Sequence, residues 1–155
     1  MKYVFSTKNV NCSSFIELCN VAKEYNFSGF EVNDAFAEKT AHQDSIFKSV
    51  ARVGSKRKLI NRHIAVSALT FPTSVDENFS TEDLVKYVDY AVRADSQIVI
   101  VSLSSDVDLK KAVEILSPAV KTAETLGVSI LIETKGKYAN TSQVLEVINA
   151  LNRLV

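Results

Sequence analysis

Apolar positions along the chain follow two alternating spacings, and the alternation repeats about every 30 residues. Short runs rich in β-branched and aromatic residues predict strands, whereas the longer segments between them carry apolar residues at helical spacing. Strands followed in turn by helices predict βα units and a parallel sheet. The predicted strands are residues 2–6, 29–32, 63–69, 97–103 and 128–132.

Five helices are predicted after these strands, the second of them over residues 44–60. Residues that can accept a hydrogen bond from the first helical turn precede the other four: Ser14, Ser80, Ser105 with Asp108, and Asn140. The helical spacing predicts that the following apolar side chains are buried: Phe15, Leu18, Cys19, Ala22 and Tyr25; Ile46, Phe47, Val50, Ala51 and Leu59; Leu84, Val85, Val88, Ala91 and Val92; Leu109, Ala112, Val113, Leu116, Val120 and Ala123; Val144, Leu145, Ile148, Leu151 and Val155.

Five βα units without a linker predict one α/β domain over residues 1–155, and two architectures are compatible with them. A flavodoxin-like doubly wound sheet, with strand order 2-1-3-4-5, is complete at about this length. A partial TIM barrel, with strand order 1-2-3-4-5, holds five of the eight units that normally occupy about 250 residues. The periodicity alone does not choose between the two strand orders.

The composition of the chain limits the classes of partner that we expect it to bind. Eighteen basic residues balance eighteen acidic ones, so the formal net charge is zero and no overall field attracts nucleic acid or an anionic membrane. The chain has no apolar run near the roughly 20 residues that span a bilayer, and its first residues lack a signal-peptide pattern. We therefore expect a cytoplasmic protein with no nucleic-acid or membrane partner, in which Cys12 and Cys19 are reduced thiols.

Ligands bind at the carboxyl ends of the strands in both architectures, so the polar residues at these ends are the candidates for a site. No glycine-rich phosphate loop, nucleophile elbow or zinc-ligand spacing competes with them. The candidates are Ser6, Thr7 and Lys8; Glu31, Asn33 and Asp34; Ser67 and Thr70; Ser102, Ser104 and Ser105; Glu133, Thr134 and Lys135.

Glu133 is the most informative candidate because it follows an apolar run that we expect to be buried on both faces. A carboxylate there costs free energy unless it is paired, protonated or bound to a metal. Glu31 has a comparable place on the second strand. The two carboxylates could bind a divalent cation or transfer protons, or each could pair with a lysine such as Lys8 or Lys135.

The segments around these two carboxylates carry a family resemblance. ILIETKG followed by NTSQVLEVI, and VAKEYNFSGFEV upstream, resemble the sugar phosphate isomerase/epimerase family of xylose-isomerase-like barrels. The resemblance favours the sequential strand order of a partial barrel. It implies a divalent metal (Mn, Mg or Zn) with Glu133 as a ligand, and Glu31 as the catalytic carboxylate. It also implies a small sugar or sugar phosphate as substrate, at a site where we expect these residues to bind it: Ser6, Asn33, Thr70, Ser102 and Lys135.

The family's remaining metal ligands belong to strands six to eight, which these residues do not contain, so the isolated chain is expected to be inactive. The alternative is a non-catalytic binding or interaction module of flavodoxin-like or half-barrel form. An open barrel exposes the edges of its first and last strands, and such edges recruit partners. The partner would be a second copy of the chain or a complementing chain.

Overall fold

The computed structural model describes residues 2–76 and 78–153, so the predicted core residue Val155 lies outside the described residues. Short 3-10 turns follow the first and last strands, at Thr7–Asn9 and Gly136–Tyr138. The strands are β1 (Val4–Ser6), β2 (Gly29–Val32), β3 (Ala65–Thr70), β4 (Ile98–Ser102) and β5 (Ser129–Glu133). The helices are α1 (Phe15–Glu24), α2 (Glu38–Ala41), α3 (Arg52–Arg62), α4 (Thr81–Arg93), α5 (Leu109–Leu126) and α6 (Thr141–Leu151).

The strands form one parallel sheet in the order β1-β2-β3-β4-β5. This sequential order confirms the partial-barrel prediction and excludes the flavodoxin-like order, in which β1 lies between β2 and β3. The register pairs Ser6 with Glu31 at one end of the sheet and Ser102 with Glu133 at the other. Among the described residues, no helix has the length and apolar content needed to cross a bilayer.

Helix starts follow the capping prediction with one exception. The side chains of Ser14, Ser80, Asp108 and Asn140 each accept a hydrogen bond from a backbone N–H in the first turn of their helix. Ser105 does not cap α5, because its hydroxyl instead accepts a hydrogen bond from the N–H of Lys137. The caps therefore fix where the helices begin, and Ser105 connects two loops.

The second predicted helix, residues 44–60, is the largest error in the predicted elements. Residues 42–51 form a series of turns, the helix begins only at Arg52, and the short α2 before it was not predicted. Ser45 competes with helical bonding, since its hydroxyl accepts a hydrogen bond from the N–H of Phe47. Ile46 and Phe47 are buried as predicted, but Val50 is fully exposed.

Several side chains of the predicted apolar faces are exposed. Tyr25 follows the last residue of α1, so its side chain leaves the helix face and is 65% exposed. On α6 the buried side includes Val147, which was not predicted, instead of Leu145 and Ile148. Leu109, in the first turn of α5, is likewise exposed.

The prediction that β5 is buried on both faces is also wrong. The exposure alternates along the strand because β5 is an edge of the sheet and its concave face has no described layer over it. Leu131 on β5 is 46% exposed, and Val4 on the opposite edge is 50% exposed. Burial therefore imposes little cost on the carboxylate of Glu133, which is an exposed residue.

Cys19 on α1 is fully buried, and burial raises the pKa of its thiol to about 11 from an ordinary value of 9.0. Between these two values the unfolded chain ionises this thiol and the folded chain does not. We therefore expect the free energy of unfolding to fall by about 2 kcal/mol as the pH rises from 9 to 11. Urea unfolding across this pH range measures it, and a Cys19→Ala variant with an equally steep loss would contradict the assignment.

Candidate functional site

The carboxyl-terminal ends of the strands surround a cavity of about 510 Å³ on the concave side of the sheet. All five strands or the residues that follow them contribute to its lining. Polar side chains dominate the rim, and apolar ones form the floor. The lining residues are Ser6, Lys8, Glu31, Asn33, Thr70, Ile100, Leu131, Ile132, Glu133, Thr134 and Lys135.

Six of the seven residues predicted to form a site line this one cavity: Ser6, Glu31, Asn33, Thr70, Glu133 and Lys135. The seventh, Ser102, stands beside Glu133 in the register of β4 with β5, and its hydroxyl is 2.9 Å from that of Ser74. The topology thus brings together residues up to 129 positions apart in sequence, from Ser6 to Lys135. Their roles in binding or catalysis stay predictions.

Thr70 holds the carboxylate of Glu31 in a defined position. Its hydroxyl donates a hydrogen bond to Oε1 of Glu31 at 2.7 Å, from the end of the neighbouring strand β3. Within residues 2–76 and 78–153, neither Glu31 nor Glu133 forms an ion pair with a lysine or arginine. The alternative prediction, in which each of these carboxylates pairs with a lysine, is therefore wrong for this part of the chain.

Thr7 and Lys39 fix the backbone just behind the cavity. The buried Thr7 hydroxyl accepts a hydrogen bond from the N–H of Asn33 at 3.0 Å, which ties the end of β2 to the end of β1. The ammonium of Lys39 donates to the carbonyls of Thr7 and Val10 at 2.6 and 2.8 Å. These bonds satisfy loop carbonyls and hold Asn33 at the rim.

Tyr87 of α4 holds the loop that follows β2 from the helical side of the sheet. Its hydroxyl accepts a hydrogen bond from the N–H of Ala35 at 2.8 Å and donates one to Oδ1 of Asp34 at 3.2 Å. Burial raises the pKa of the Tyr87 hydroxyl above its ordinary range, so the group stays protonated and remains a donor. Asp34, a candidate from its place at a strand end, thus acts within the loop and is not among the residues that line the cavity.

The loop that follows Glu133 is fastened to the loop after β4. Gly136 adopts a positive φ of 55°, and a Cβ there would approach the hydroxyl of Ser105 to 2.6 Å. The side chains of Lys137 and Tyr138 both donate hydrogen bonds to the carbonyl of Val107. This double attachment defines the path of the loop and hence the place of Lys135 at the rim.

The cavity offers oxygen ligands of the type that hard divalent cations prefer, but few of them are carboxylates. Carboxylate and hydroxyl oxygens are ligands for Mg²⁺ and Mn²⁺. In the described part of the chain, however, no three His, Cys, Asp or Glu side chains lie close enough together to hold a metal ion.

The sequence predicted residues at the rim of the cavity, but it did not predict the side chains whose hydrogen bonds hold the rim in place. Tyr87 falls on the apolar stripe of α4, three residues after Leu84 and four before Ala91, and this spacing could have identified it as buried. No local pattern distinguishes Lys39, because its partners lie 29 and 32 residues away.

Comparison with known proteins gave matches in structure only; no family model and no curated protein matched the sequence. The probable 3-DHS dehydratase AsbF of Bacillus anthracis matches with a TM-score of 0.72 at 15% identity, over 98% of this chain and 60% of that one. The IolI protein, solved with a zinc atom, matches with a TM-score of 0.72 at 18% identity, over 99% and 60%. D-psicose 3-epimerase, solved with D-fructose, matches with a TM-score of 0.72 at 12% identity, over 97% and 60%.

These matches, together with the sequential parallel sheet, decide the fold. The chain has the fold of a partial xylose-isomerase-like TIM barrel. It spans about 60% of the length of the solved barrels that it matches. At identities of 12 to 18% the likeness establishes the fold alone, so activity, substrate and metal are questions for the residues of the cavity.

Proposed function

We propose that this chain contributes the carboxylate-bearing part of a sugar isomerase or epimerase site. The observation that carries the proposal is that Glu31 and Glu133 line one cavity at the carboxyl-terminal rim of the sheet, neither of them in an ion pair with a described residue. Glu31 is the proton-transfer residue and Glu133 a ligand for a divalent cation. Ser6, Asn33, Thr70, Ser102 and Lys135 bind the hydroxyl or phosphate oxygens of a small sugar or sugar phosphate.

The hydrogen bond from Thr70 supports the role of Glu31. Isomerisation and epimerisation move a proton on or off a carbon next to a carbonyl group, which requires a carboxylate in a fixed orientation. Thr70 occupies Oε1, so Oε2 of Glu31 is the oxygen that accepts the proton. The ammonium of Lys135 stabilises the negative charge that develops on the substrate oxygen.

The structural matches support this class of chemistry without defining the substrate. One matched barrel is an epimerase solved with a ketose, one holds zinc, and one is a probable dehydratase. Hard oxygen donors at the rim are compatible with Mn²⁺ or Mg²⁺, and we expect further donors from outside residues 2–76 and 78–153, among which no group of three His, Cys, Asp or Glu side chains could hold the ion.

The competing proposal is a non-catalytic interaction module, and a sugar titration separates the two. With Mg²⁺ present, we expect D-fructose or D-psicose to perturb the amide resonances of Asn33, Thr70 and Lys135. Glu133→Gln should weaken this effect. Glu114→Gln, which removes the same charge from an exposed position on α5, should leave it unchanged.

Two results would contradict the proposed function. One is a panel of ketoses and aldoses that perturbs no resonance of the rim. The other is a perturbation of the rim that is equally strong in a Glu31→Gln, Glu133→Gln double variant, since sugar binding would then not involve the carboxylates.

A further inference from the structure

Extra residues interrupt the ladder of hydrogen bonds between β3 and β4 at its carboxyl-terminal end. The N–H of Phe71 donates to the carbonyl of Ile100 at 2.8 Å. In a regular parallel pair the residue two positions later, Thr73, would donate to the carbonyl of Ser102. The N–H of Val75 is the donor instead, at 2.7 Å. The chain after β3 therefore forms a bulge opposite β4.

The bulge, residues 71–75, is fixed at both ends. The side chains of Phe71 and Val75 are buried, and the N–H of Ser104 donates to the carbonyl of Val75 at 2.9 Å. The ring of Pro72 fixes the backbone angle φ where the chain leaves the ladder. Because β3 and β4 are interior strands of the sheet, each with a neighbour on both sides, the bulge is a defined part of the rim.

The bulge brings the hydroxyl of Ser74 to the concave face of the sheet. Ser102 lies two residues after Ile100, which lines the cavity, so the two side chains of β4 point to the same face. The hydroxyl of Ser74 is 2.9 Å from that of Ser102 and therefore lies on this face as well. Ser74 was not predicted as a site residue, because it follows the last residue of β3, Thr70, at a distance of four positions.

The two serine hydroxyls keep hydrogen-bonding capacity that the described residues do not use. Each serine carries one hydroxyl proton, and either oxygen can donate in the bond between Ser74 and Ser102. One proton lies between the two oxygens, and the other is free to be donated to a ligand. Within residues 2–76 and 78–153, neither hydroxyl has another hydrogen-bond partner, and both residues are only partly buried.

The serine pair, Ser74 with Ser102, lies between the two carboxylates of the rim. Glu31 is on β2 and Glu133 on β5, so a sugar that reaches both lies across the ends of β3 and β4. Ser102 pairs with Glu133 in the register, about 5 Å away on the adjacent strand. The hydroxyl proton of Thr70 is already donated to Glu31. The free proton of the serine pair is therefore available to a ligand beside Glu133.

We propose that Ser74 determines specificity at this site: together with Ser102, it binds one hydroxyl group of the sugar beside Glu133. The inference rests on the proposed function, because it takes a sugar as the ligand. A sugar hydroxyl both donates and accepts, and the serine pair offers a free proton and free lone pairs. The pair carries no charge, so it suits a hydroxyl group better than the phosphate of a sugar phosphate.

Amide chemical-shift titrations with D-fructose and its monodeoxy analogues test this assignment. With Mg²⁺ present, we expect D-fructose to perturb the amides of Ser74 and Ser102 in the unaltered chain. Ser74→Ala should weaken D-fructose binding about three- to tenfold, which corresponds to the loss of one neutral hydrogen bond. One deoxy analogue, which lacks the bound hydroxyl group, should bind equally to the unaltered chain and to Ser74→Ala.

Two further variants separate a contact with the sugar from a change in the bulge. Ser74→Thr keeps the hydroxyl and should bind D-fructose as the unaltered chain does. Thr73→Ala removes an exposed hydroxyl from the same bulge and should also bind as the unaltered chain does. In Ser74→Ala we expect the amide of Val75 to keep its protection against hydrogen exchange, because its bond to the carbonyl of Ser102 joins two backbone groups.

Two results would overturn the assignment of Ser74 and leave the proposed function in place. One is a perturbation of Asn33, Thr70 and Lys135 by D-fructose without an effect at Ser74. The other is equal weakening of D-fructose and of every deoxy analogue by Ser74→Ala, which is expected of a purely structural role. If neither D-fructose nor another ketose perturbs any of these resonances, the proposed function fails and the assignment of Ser74 fails with it.

Discussion

The Gly29→Ala variant is expected to lose about 3 to 5 kcal/mol of folding free energy, enough to unfold much of the protein. A Cβ on residue 29 would lie 2.2 Å from the carbonyl oxygen of Ala65 and 3.1 Å from its carbon. Both atoms are backbone, so no side chain can rotate away. Because β2 pairs with Val4 on one side and Ala65 on the other, relief of the clash would separate strands at the centre of the sheet.

Gly54→Ala is the matched control for this substitution. Gly54 lies inside α3, and a Cβ there would meet no atom within 4 Å. Alanine is the better helix former, so this variant should gain about 0.5 to 1 kcal/mol. Urea unfolding of the two variants measures both changes. A Gly29→Ala protein as stable as the unaltered chain would mean that β2 and β3 are further apart than the structure has them.

Periodicity predicted the strands well because a buried parallel strand needs a run of apolar residues, and IVIVS of β4 is such a run. It did not predict their order, since both candidate sheets bury the same runs. The order was favoured only by the residues around Glu133 and their resemblance to barrel sequences. The edge position of β5 then explains why its predicted burial failed, because an edge strand of an open sheet lacks one neighbour.

Helical spacing failed at residues 44–60 for a different reason. Ile46, Phe47 and Leu59 are all buried, so the apolar pattern is real. Turns can bury two adjacent side chains as well as a helix does, and the hydrogen bond of Ser45 to the N–H of Phe47 stabilises such a turn. A pattern of burial alone does not distinguish the two.

The residues at the rim of the site could be predicted from the sequence because parallel strands place their carboxyl ends together. Its fine geometry could not, since the groups that fix it come from distant segments. Tyr87 lies 52 residues from Ala35, and Thr70 lies 39 residues from Glu31. These contacts follow from the packing of α4 and β3, which no local spacing encodes.

The chain is expected to bind Mn²⁺ weakly, with a dissociation constant of about 10⁻³ M or higher. No three His, Cys, Asp or Glu side chains of the described residues converge on a point, and such cations retain water unless several oxygens replace it. Glu133→Gln should weaken this binding at least about tenfold, or about 1.4 kcal/mol, because it removes the charge nearest the rim of β5.

The electron paramagnetic resonance signal of free Mn²⁺ measures this binding. Glu114→Gln, at an exposed position of α5 where its partner is Lys111, should bind as the unaltered chain does. Tight binding that is abolished by Glu133→Gln would show that five units form a complete site. Equal weakening by Glu114→Gln would instead assign the binding to net charge, because both variants remove one negative charge and only one removes it from the cavity.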